Sequence, residues 1–291
     1  MITKIILKWA GKGFLSWVPD ETYLKVVYWA RNNEKLSLEK PETFNEKLQW
    51  LKLNYRKPEM IKMVDKYAVK AYVSKIIGDE YIIPTLGIWD SFDQISFDDL
   101  PDKFVLKTTH DSGSIVICSD KNTFNFVEAK NKLTKALKKK YYLIGREWVY
   151  KYVQPRIIAE PYLEDNETKE LRDYKFFCFN GKAKCFKIDF DRFSMHRANY
   201  YDMENGDLLE FGESDYPRDP ENKLKMPKNL MQMKVVAEKI AKDYPFLRVD
   251  FYEVNGKMYL GELTFFPSSG FGKLTTKESE YLLGSWIRLP S

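Results

Sequence analysis

The 291-residue chain is long enough for one large domain or two closely packed ones. Its 44% hydrophobic and 31% charged residues are typical of a soluble globular protein and exclude a disordered or collagen-like chain. The net charge of +5 comes from lysines spread along the chain, so the composition does not indicate a nucleic-acid partner.

The cysteines and histidines limit the kinds of site and compartment. The three cysteines, Cys118, Cys178 and Cys185, lack metal-ligand spacing, and the chain has only two histidines. These counts do not support a disulfide framework or a His/Cys zinc site, and they indicate a reducing compartment. Because no stretch approaches the ~18 apolar residues of a membrane span and no secretory cleavage site is evident, we expect a cytoplasmic protein.

The N-terminal stretch, residues 1–18, is predicted to form a helix with a basic stripe. Lys4, Lys8 and Lys12 recur at helical spacing, and Trp9 lies elsewhere on the helix. Such a helix can lie on an anionic membrane surface, which would place the protein at the inner face of the membrane. The alternative is a helix that packs on its own domain.

Helices and strand pairs alternate through the rest of the chain. Further helices are predicted at 43–53, where Thr43 and Glu46 form a capping box, and at 58–77, 123–141 and 228–244. Strand-like segments occur at 81–83, 103–107, 115–118, 156–159, 174–179, 182–190, 246–253 and 257–264. Asn-Gly pairs at 180–181 and 255–256 indicate tight hairpins. The pattern predicts an α+β fold with more than one sheet.

The last hairpin carries charged residues in strands that otherwise hold apolar ones. Arg248 and Asp250 lie on its first strand and Glu262 on its second. Mg²⁺ uses paired carboxylates when substrate phosphates supply its other ligands. The alternative is a set of surface salt bridges.

The turn of this hairpin decides whether the two carboxylates can share a metal ion, because directly opposed residues of a hairpin share a face. A two-residue Asn255-Gly256 turn would place Asp250 and Glu262 on opposite faces. A three-residue loop with a bulge at Gly256 would place Glu262 opposite Arg248 and diagonal to Asp250. We therefore predict the bulged loop, a positive φ at Gly256, and all three charged residues on one face.

A second group of candidates lies upstream. Lys107 ends an apolar strand and leads into a Gly/Ser/Thr turn at 108–114, where backbone N–H groups and an ammonium can hold a polyphosphate. Glu160 ends another strand at a position suited to an adenine amino group. The alternatives are a solvated lysine and an edge strand that runs into a loop. We expect Lys107 to line one cleft with Arg248.

In their order along the chain, these segments resemble the ATP-grasp superfamily. The resemblance is carried by residues 64–66, 104–107, 158–160, 248–250 and Glu262. The segments 40–47, 173–182 and 261–265 are similar to those of the TupA-like family of teichuronopeptide biosynthesis, over about residues 35–288. The resemblance implies an ATP-grasp fold, with two α/β subdomains whose antiparallel sheets clasp ATP. It implies a helical N-terminal region at 1–85, a lid subdomain at 86–165 and a C-terminal subdomain at 166–291.

The resemblance also implies roles for individual residues. Those implied for ATP are Lys66, Lys107, Ser112, Gly113 and Ser114 at the phosphates, Glu160, Tyr162 and Leu163 at the adenine, and Glu167, or alternatively Glu164, at the ribose. The residues implied as ligands of one or two Mg²⁺ ions are Asp250, Glu262 and Thr264. At the position of Thr264 the superfamily usually has Asn. The implied catalytic residues are Arg248 and Lys107, at the transferred phosphoryl group, and Lys175, a candidate for the acceptor side together with Arg192, His196 and Arg197.

The superfamily's reaction implies an ADP-forming ligase that makes a C–N bond. The enzyme would activate a carboxylate as an acyl phosphate, which an amine then attacks. The family's setting in bacterial surface polysaccharide synthesis implies a uronic-acid carboxylate and an amino acid or amine as substrates. The alternatives are a glycosyltransferase of capsule synthesis, for which Asp189-Phe190-Asp191 is a weak signal, and a nucleotide-binding protein without turnover.

Overall fold

The structure of the protein is a computed structural model that describes residues 2–166, 171–191, 195–222 and 224–290. The helices in these ranges are α1 (Ile2–Gly11), α2 (Asp20–Asn32), α3 (Phe44–Asn54), α4 (Glu59–Val64), α5 (Ala68–Ile77), α6 (Phe126–Leu137), α7 (Tyr142–Gly145), α8 (Leu230–Ala241) and α9 (Lys277–Trp286). The strands are β1 (Gly87–Trp89), β2 (Phe104–Thr108), β3 (Ile115–Cys118), β4 (Ile157–Pro161), β5 (Asp173–Phe179), β6 (Lys182–Phe190), β7 (Arg197–Asp202), β8 (Phe246–Val254) and β9 (Lys257–Thr264). The predicted α+β class is confirmed.

The predicted helix over 58–77 is in fact two helices, α4 and α5. Asp65, between them, has an extended backbone with φ −74° and ψ 115°. Its Oδ1 accepts hydrogen bonds from the backbone N–H groups of Tyr67 at 2.9 Å and Ala68 at 3.3 Å. Asp65 therefore ends one helix and begins the next, because its side chain takes the place of helical hydrogen-bond partners.

Most of the other predicted elements lie close to observed ones, but the helix predicted over residues 1–18 ends at Gly11. The capping box of α3 is present, with Thr43 and Glu46 each accepting a hydrogen bond from the other residue's backbone N–H. The predicted strand at 81–83 is wrong, because Tyr81 closes a short 3₁₀ helix, Asp79–Tyr81, and the first strand begins at Gly87.

The chain forms two compact units. The five-stranded unit consists of Met1–Arg56, Leu143–Glu147 and Arg172–Ser291, and the four-stranded unit consists of Lys57–Tyr142 and Trp148–Leu171. The chain thus passes between the units four times, and these boundaries do not follow the three continuous segments 1–85, 86–165 and 166–291. The division into those three domains stays a prediction.

The five-stranded unit contains an antiparallel sheet in the order β7-β6-β5-β8-β9. One face of the sheet is apolar, and α8 packs on it against β5, β6 and β8. Side chains alternate along each strand, so a set of charged residues lies on the opposite face: Asp173, Lys175, Lys187, Asp189, Arg248, Asp250 and Glu262. Two-residue turns at Asn180-Gly181 and Asn255-Gly256 close its two tight hairpins.

The four-stranded unit contains an antiparallel sheet in the order β1-β4-β2-β3. Phe104 and Leu106 of β2 and Ile157 and Ala159 of β4 are buried in a core cluster that also includes Leu133 of α6. The alternate residues of β2 and β4, which include Lys107 and Glu160, therefore point to the other face of the sheet.

Helix α1 packs on the five-stranded unit through one side, as the alternative of a packed helix predicts. Ala10 is buried in a cluster with Tyr23 of α2. The segment after the helix is held by Arg146, which donates to the carbonyl oxygens of Leu15 at 2.7 Å and Val18 at 3.2 Å. Within the described ranges, no helix is long and apolar enough to cross a membrane.

Gly181 and Gly256 give a matched test of the two hairpin turns, since their φ values are 80° and 76°. An alanine Cβ at 256 would have no heavy atom within 4 Å, whereas at 181 it would lie 2.9 Å from the backbone oxygen of Lys242. We expect Gly256→Ala to lower the free energy of unfolding by about 1 kcal/mol, through backbone strain alone. Gly181→Ala should lower the free energy of unfolding further, because the Lys242 backbone must also move. Urea denaturation measures both, and equal losses would contradict the close approach at Gly181.

Candidate active-site residues in two units

The β8–β9 hairpin differs from the predicted one at its turn. Asn255 and Gly256 have φ values of 52° and 76°, which is typical of a two-residue type I′ turn, and Val254 pairs directly with Lys257. The predicted three-residue loop with a bulge at Gly256 is therefore wrong, while the predicted positive φ at Gly256 is confirmed.

A bulge farther along the hairpin brings the charged residues to one face. The register shifts by one residue after Asp250, so that Asp250 lies directly opposite Glu262, and Arg248 lies opposite Thr264. The prediction that Glu262 lies opposite Arg248 is corrected by this shift. The extra residue at the shift is Gly261, where an added Cβ would lie only 3.2 Å from the backbone oxygen of Asp250. Glycine thus permits the bulge, and the bulge puts both carboxylates on the same side of the sheet.

Arg248 and Asp250 form a bidentate ion pair. Arg248 Nε donates to Asp250 Oδ1 at 2.7 Å, and Nη2 donates to Oδ2 at 2.6 Å. Nη2 also donates to Thr264 Oγ1 at 3.0 Å. Burial alone would lower the pKa of Arg248, but the charge and hydrogen bonds of Asp250 raise it. Arg248 is thus a cation with a fixed orientation.

Lys175 lies among three aspartates on the same face. Its ammonium contacts the carboxylates of Asp173, Asp189 at 3.0 Å and Asp250 at 3.6 Å. Burial alone would lower the pKa of Lys175, but the three carboxylates raise it well above its usual value. A lysine kept protonated in this way is suited to orient Asp250 rather than to accept a proton.

Asp250 and Glu262 are the carboxylates of this face that could hold Mg²⁺. In the described part of the chain, no group of three or more His, Cys, Asp or Glu side chains is arranged for a metal ion. Two carboxylates nevertheless fit Mg²⁺, because this ion usually takes one or two carboxylates, waters and phosphate oxygens. Since both oxygens of Asp250 accept from Arg248, the half-buried Glu262 is the carboxylate more open to a cation. The hydroxyl of Thr264 accepts from Arg248, and its role as a metal ligand stays a prediction.

A further buried charge cluster on this face did not emerge from the sequence. Lys187 lies directly opposite Lys175, and it contacts Glu213 at 2.9 Å and Asp189 at 3.5 Å. His196 Nε2 lies 2.9 Å from Asp189 Oδ1. Burial alone would raise the pKa of Asp189, but Lys187 and Lys175 lower it far below its usual value. Because two lysines engage Asp189, the Asp-Phe-Asp motif of the glycosyltransferase alternative is poorly placed to bind a metal ion.

A buried lysine near the end of β9 was also missed. Lys52 donates to the backbone oxygens of Gly145 and Ser269, both at 2.7 Å, and burial lowers its pKa to about 7. The hydroxyl of Ser269 donates to Glu147 at 2.6 Å. Burial raises the pKa of Glu147, despite the nearby charge of Lys52. These contacts fix the loop that follows Thr264.

In the four-stranded unit, Glu160 is held by two lysines. Lys107 Nζ lies 2.6 Å from Glu160 Oε2, and Lys70 Nζ lies 2.6 Å from Oε1. Burial alone would raise the pKa of Glu160, but Lys107 and Lys70 lower it below its usual value. The sequence placed Lys107 and Glu160 correctly at strand ends but missed Lys70, which lies four residues after Lys66. The role predicted for Glu160 at an adenine amino group stays a prediction.

Lys66 and the glycine loop are in contact. The ammonium of Lys66 donates to the backbone oxygen of Asp111, and the Asp111 carboxylate accepts from the hydroxyls of Thr108 and Ser114. Asp111 thus closes the base of the loop, whereas Ser112 and Gly113 at its tip are exposed. Gly113 has a φ of 86°, and an added Cβ would meet no atom within 4 Å, so the tip has room for a ligand.

The remaining predicted nucleotide-binding residues follow β4. Tyr162 and Leu163 are half-buried and lie in an irregular segment, where their backbone groups are outside the β-ladder. Glu164 lies 3.9 Å from Lys103. Glu167, and Arg192 of the acceptor-side candidates, lie outside the described residues.

The two lysines at Glu160 give a pH-dependent contribution to stability. An unfolded glutamate has a pKa of about 4.3, and the folded pKa of Glu160 is lower. The ion pairs therefore stabilise the protein fully above the unfolded pKa, and this contribution is lost as the pH falls through the folded pKa. We expect the destabilisation caused by Glu160→Gln at pH 7 to shrink as the pH falls below about 4. Urea denaturation at a series of pH values measures this.

Glu164→Gln is the control, because Glu164 is more exposed and its one described ion pair is long, 3.9 Å to Lys103. Its effect on stability should be small at every pH. A Glu160→Gln effect that stayed constant down to pH 3 would contradict the lowered pKa.

No curated protein matches this chain in sequence. Among solved structures, D-alanine–D-alanine ligase from Helicobacter pylori is 16% identical, with 84% of this chain and 69% of that chain covered and a TM-score of 0.42. D-alanine–D-alanine ligase from Bacillus anthracis is 14% identical, with 75% and 57% covered and a TM-score of 0.37. The ADP complex of purK, N5-carboxyaminoimidazole ribonucleotide synthetase, is 14% identical, with 76% and 50% covered and a TM-score of 0.38. The chain thus spans little more than half the length of several of the proteins it matches.

The model of the TupA-like ATP-grasp family matches residues 46–288, which is most of the chain. This match agrees with the two antiparallel sheets and with the resemblance carried by the sequence motifs. The chain therefore belongs to the TupA-like ATP-grasp family and has the α+β ATP-grasp fold.

Proposed function

We propose that the protein is an ATP- and Mg²⁺-dependent ligase that joins a carboxylate to an amine and releases ADP and phosphate. The observation that carries the proposal is the shared face of the β8–β9 hairpin, where Arg248, Asp250 and Glu262 lie together. Membership of the ATP-grasp family supports the same reaction. The cations at Lys66, Lys70 and Lys107 are of the kind that phosphate binding needs.

The proposed reaction has two steps. A carboxylate oxygen of the first substrate attacks the γ-phosphorus of ATP, the bond to the β-phosphate oxygen breaks, and ADP leaves. The amine nitrogen then attacks the carbonyl carbon of the acyl phosphate, phosphate leaves with the C–O bond electrons, and the nitrogen loses a proton. The protein needs no covalent nucleophile for either step, since positioning and charge stabilisation suffice.

Side chains of the five-stranded unit would stabilise the negative charge on the transferred phosphoryl group. Arg248 is held in orientation by Asp250 and Thr264, so little reorganisation is needed for it to face a phosphoryl oxygen. Lys175 orients Asp250 from the neighbouring strand. Asp250 and Glu262 would hold Mg²⁺, which when bound would neutralise negative charge on the phosphates.

The residues of the four-stranded unit suit the nucleotide. A phosphate oxygen would compete with Glu160 for Lys107, and the exposed tip of the loop at Ser112 and Gly113 offers backbone N–H groups. We include in the proposal that Lys107 and Arg248 act on the same ATP.

The family's setting in bacterial surface polysaccharide synthesis supports a proposal for the substrates. We propose a uronic-acid carboxylate of a bacterial surface polysaccharide or its precursor, and an amino acid or another amine. The assay combines the protein with ATP, Mg²⁺ and glucuronic-acid oligosaccharides, with hydroxylamine as a general trap for an acyl phosphate. Carboxylate-dependent ADP release with hydroxamate formation is expected. ATP binding without ADP in a single turnover would contradict a ligase, and release of a nucleotide from a sugar donor would instead indicate a glycosyltransferase.

The metal-binding carboxylates should be essential for turnover. We expect Asp250→Asn and Glu262→Gln to lower Mg²⁺-dependent ADP formation by about 100-fold or more, because each removes a negative charge from the cation site. Glu262→Gln is the cleaner variant, since Asp250 also balances the buried charge of Arg248. Steady-state ADP release at saturating ATP measures the effect.

Glu204→Gln, an exposed change in the same unit, is the control and should leave the rate unchanged. Circular dichroism establishes that each variant is folded. A folded Glu262→Gln variant with the wild-type rate would rule out this carboxylate as a metal ligand.

The lysines of the four-stranded unit should affect ATP binding. We expect Lys107→Ala and Lys66→Ala to raise the KM for ATP and lower kcat, because each removes a cation from the proposed phosphate site. Lys138→Ala and Lys139→Ala, at exposed positions after α6, should change neither constant. Similar kinetics in all four variants would contradict the phosphate site.

A further inference from the structure

Helix α1 has two apolar stripes, and its own unit covers only one of them. Leu7 and Ala10 lie on the stripe that packs into the core cluster with α2. Ile2, Ile5 and Trp9 follow at helical spacing on a different stripe and are 67%, 44% and 49% exposed. The solvent-facing side of a surface helix is normally polar, so three exposed apolar residues on this side of α1 are unusual.

The turn after the helix extends the exposed apolar surface. Phe14 is 60% exposed and Trp17 is 80% exposed. The backbone of the turn is nevertheless hydrogen-bonded, from Phe14 N to Trp9 O at 3.0 Å and from Ser16 N to Gly13 O at 3.1 Å. Carbonyl contacts with Arg146 hold the segment where it leaves the turn. The large aromatic side chains are thus presented on a fixed scaffold.

Lysines border this surface. Lys4, Lys8 and Lys12 form a stripe about 90° around the helix from the exposed apolar stripe. Lys12 Nζ lies 6.0 Å from the ring centroid of Phe14, so charge and aromatic surface are adjacent.

Residues 2–19 contain no Asp or Glu, and within the described part of the chain Lys4, Lys8 and Lys12 form no ion pair. The two acidic residues that come next are engaged elsewhere. Asp20 pairs with Arg146 at 3.0 Å, and Glu21 pairs with Lys25 at 2.6 Å. The surface formed by α1 and the turn that follows is therefore cationic as well as apolar.

We propose that this surface, residues 2–17, docks the protein on an anionic lipid bilayer. Apolar and aromatic side chains at the acyl boundary, with lysines at the headgroups, give the two attractive contributions that interfacial helices use. A second copy of the chain is a poorer occupant, because a symmetric contact would bring the lysine stripe against itself. The proposal is independent of the proposed ligase activity.

The lysine contribution is tested by co-sedimentation of the full chain with vesicles of phosphatidylcholine and phosphatidylglycerol at low ionic strength. We expect binding to these vesicles and little binding to pure phosphatidylcholine. Replacing Lys4, Lys8 and Lys12 with Gln should lower the partition coefficient on the order of 100-fold. The matched control replaces Lys135, Lys138 and Lys140, which are also exposed, and should bind like wild type despite the same change in net charge.

The apolar contribution is tested with Phe14→Ser and Trp17→Ser together, which should lower binding at least about tenfold. Met231→Ser and Val235→Ser, at exposed positions of α8, are the control for loss of apolar surface. Thermal unfolding establishes that each variant is folded. Point substitutions are needed because deleting residues 1–18 would uncover the cluster around Tyr23.

Three outcomes would overturn the proposal. The first is wild-type protein that does not bind anionic vesicles, and the second is binding that the lysine and aromatic variants leave unchanged. The third is concentration-dependent self-association that the Phe14→Ser and Trp17→Ser changes abolish, without vesicle binding, which would make a second copy the occupant.

Discussion

The compensation of charge on one face of the five-stranded sheet determines the geometry of the candidate site. Asp250 is buried, and a buried carboxylate is costly unless cations and hydrogen-bond donors surround it. Arg248 satisfies both oxygens from its own strand, and Lys175 adds a second cation from the neighbouring strand. Each of these cations is in turn held in place by the carboxylate, so the arrangement is rigid before any ligand arrives. This rigidity is what electrostatic stabilisation of a phosphoryl group requires.

In the four-stranded unit, too, buried charges are paired, but there the cations outnumber the carboxylate. One carboxylate, Glu160, lies 2.6 Å from the ammonium groups of two lysines, Lys107 and Lys70, and reduces the repulsion between them while leaving a net positive charge. An anionic ligand can take over one of these lysines without leaving Glu160 unpaired, because the other remains. The buried Lys52 shows the contrasting case, in which backbone carbonyls surround an ammonium and burial lowers its pKa to about 7. Paired cations suit phosphate binding, whereas Lys52 serves to fix a loop.

Several features of the site were accessible from the sequence because they depend on local rules. Charged residues at i, i+2 spacing in a strand must share a face, so Arg248 and Asp250 could be paired without a structure. The same spacing occurs at Asp173 and Lys175 and at Lys187 and Asp189, and it could have revealed the larger charge cluster. That signal was missed because charges in a predicted hairpin are usually taken to face solvent.

By itself, the sequence determined the α+β class, the hairpins at the Asn-Gly pairs, the motifs of the family and the strand positions of Lys107, Glu160, Arg248 and Asp250. These depend on turn chemistry and on side-chain alternation, which act over a few residues. Only the tertiary structure decided that the β8–β9 bulge lies at Gly261 rather than at the turn, since the close approach of the Asp250 backbone there involves a partner strand. It alone also brought Lys70 to Glu160 and Lys187 to Asp189, because contacts between distant segments follow from packing and from the need to pair buried charge.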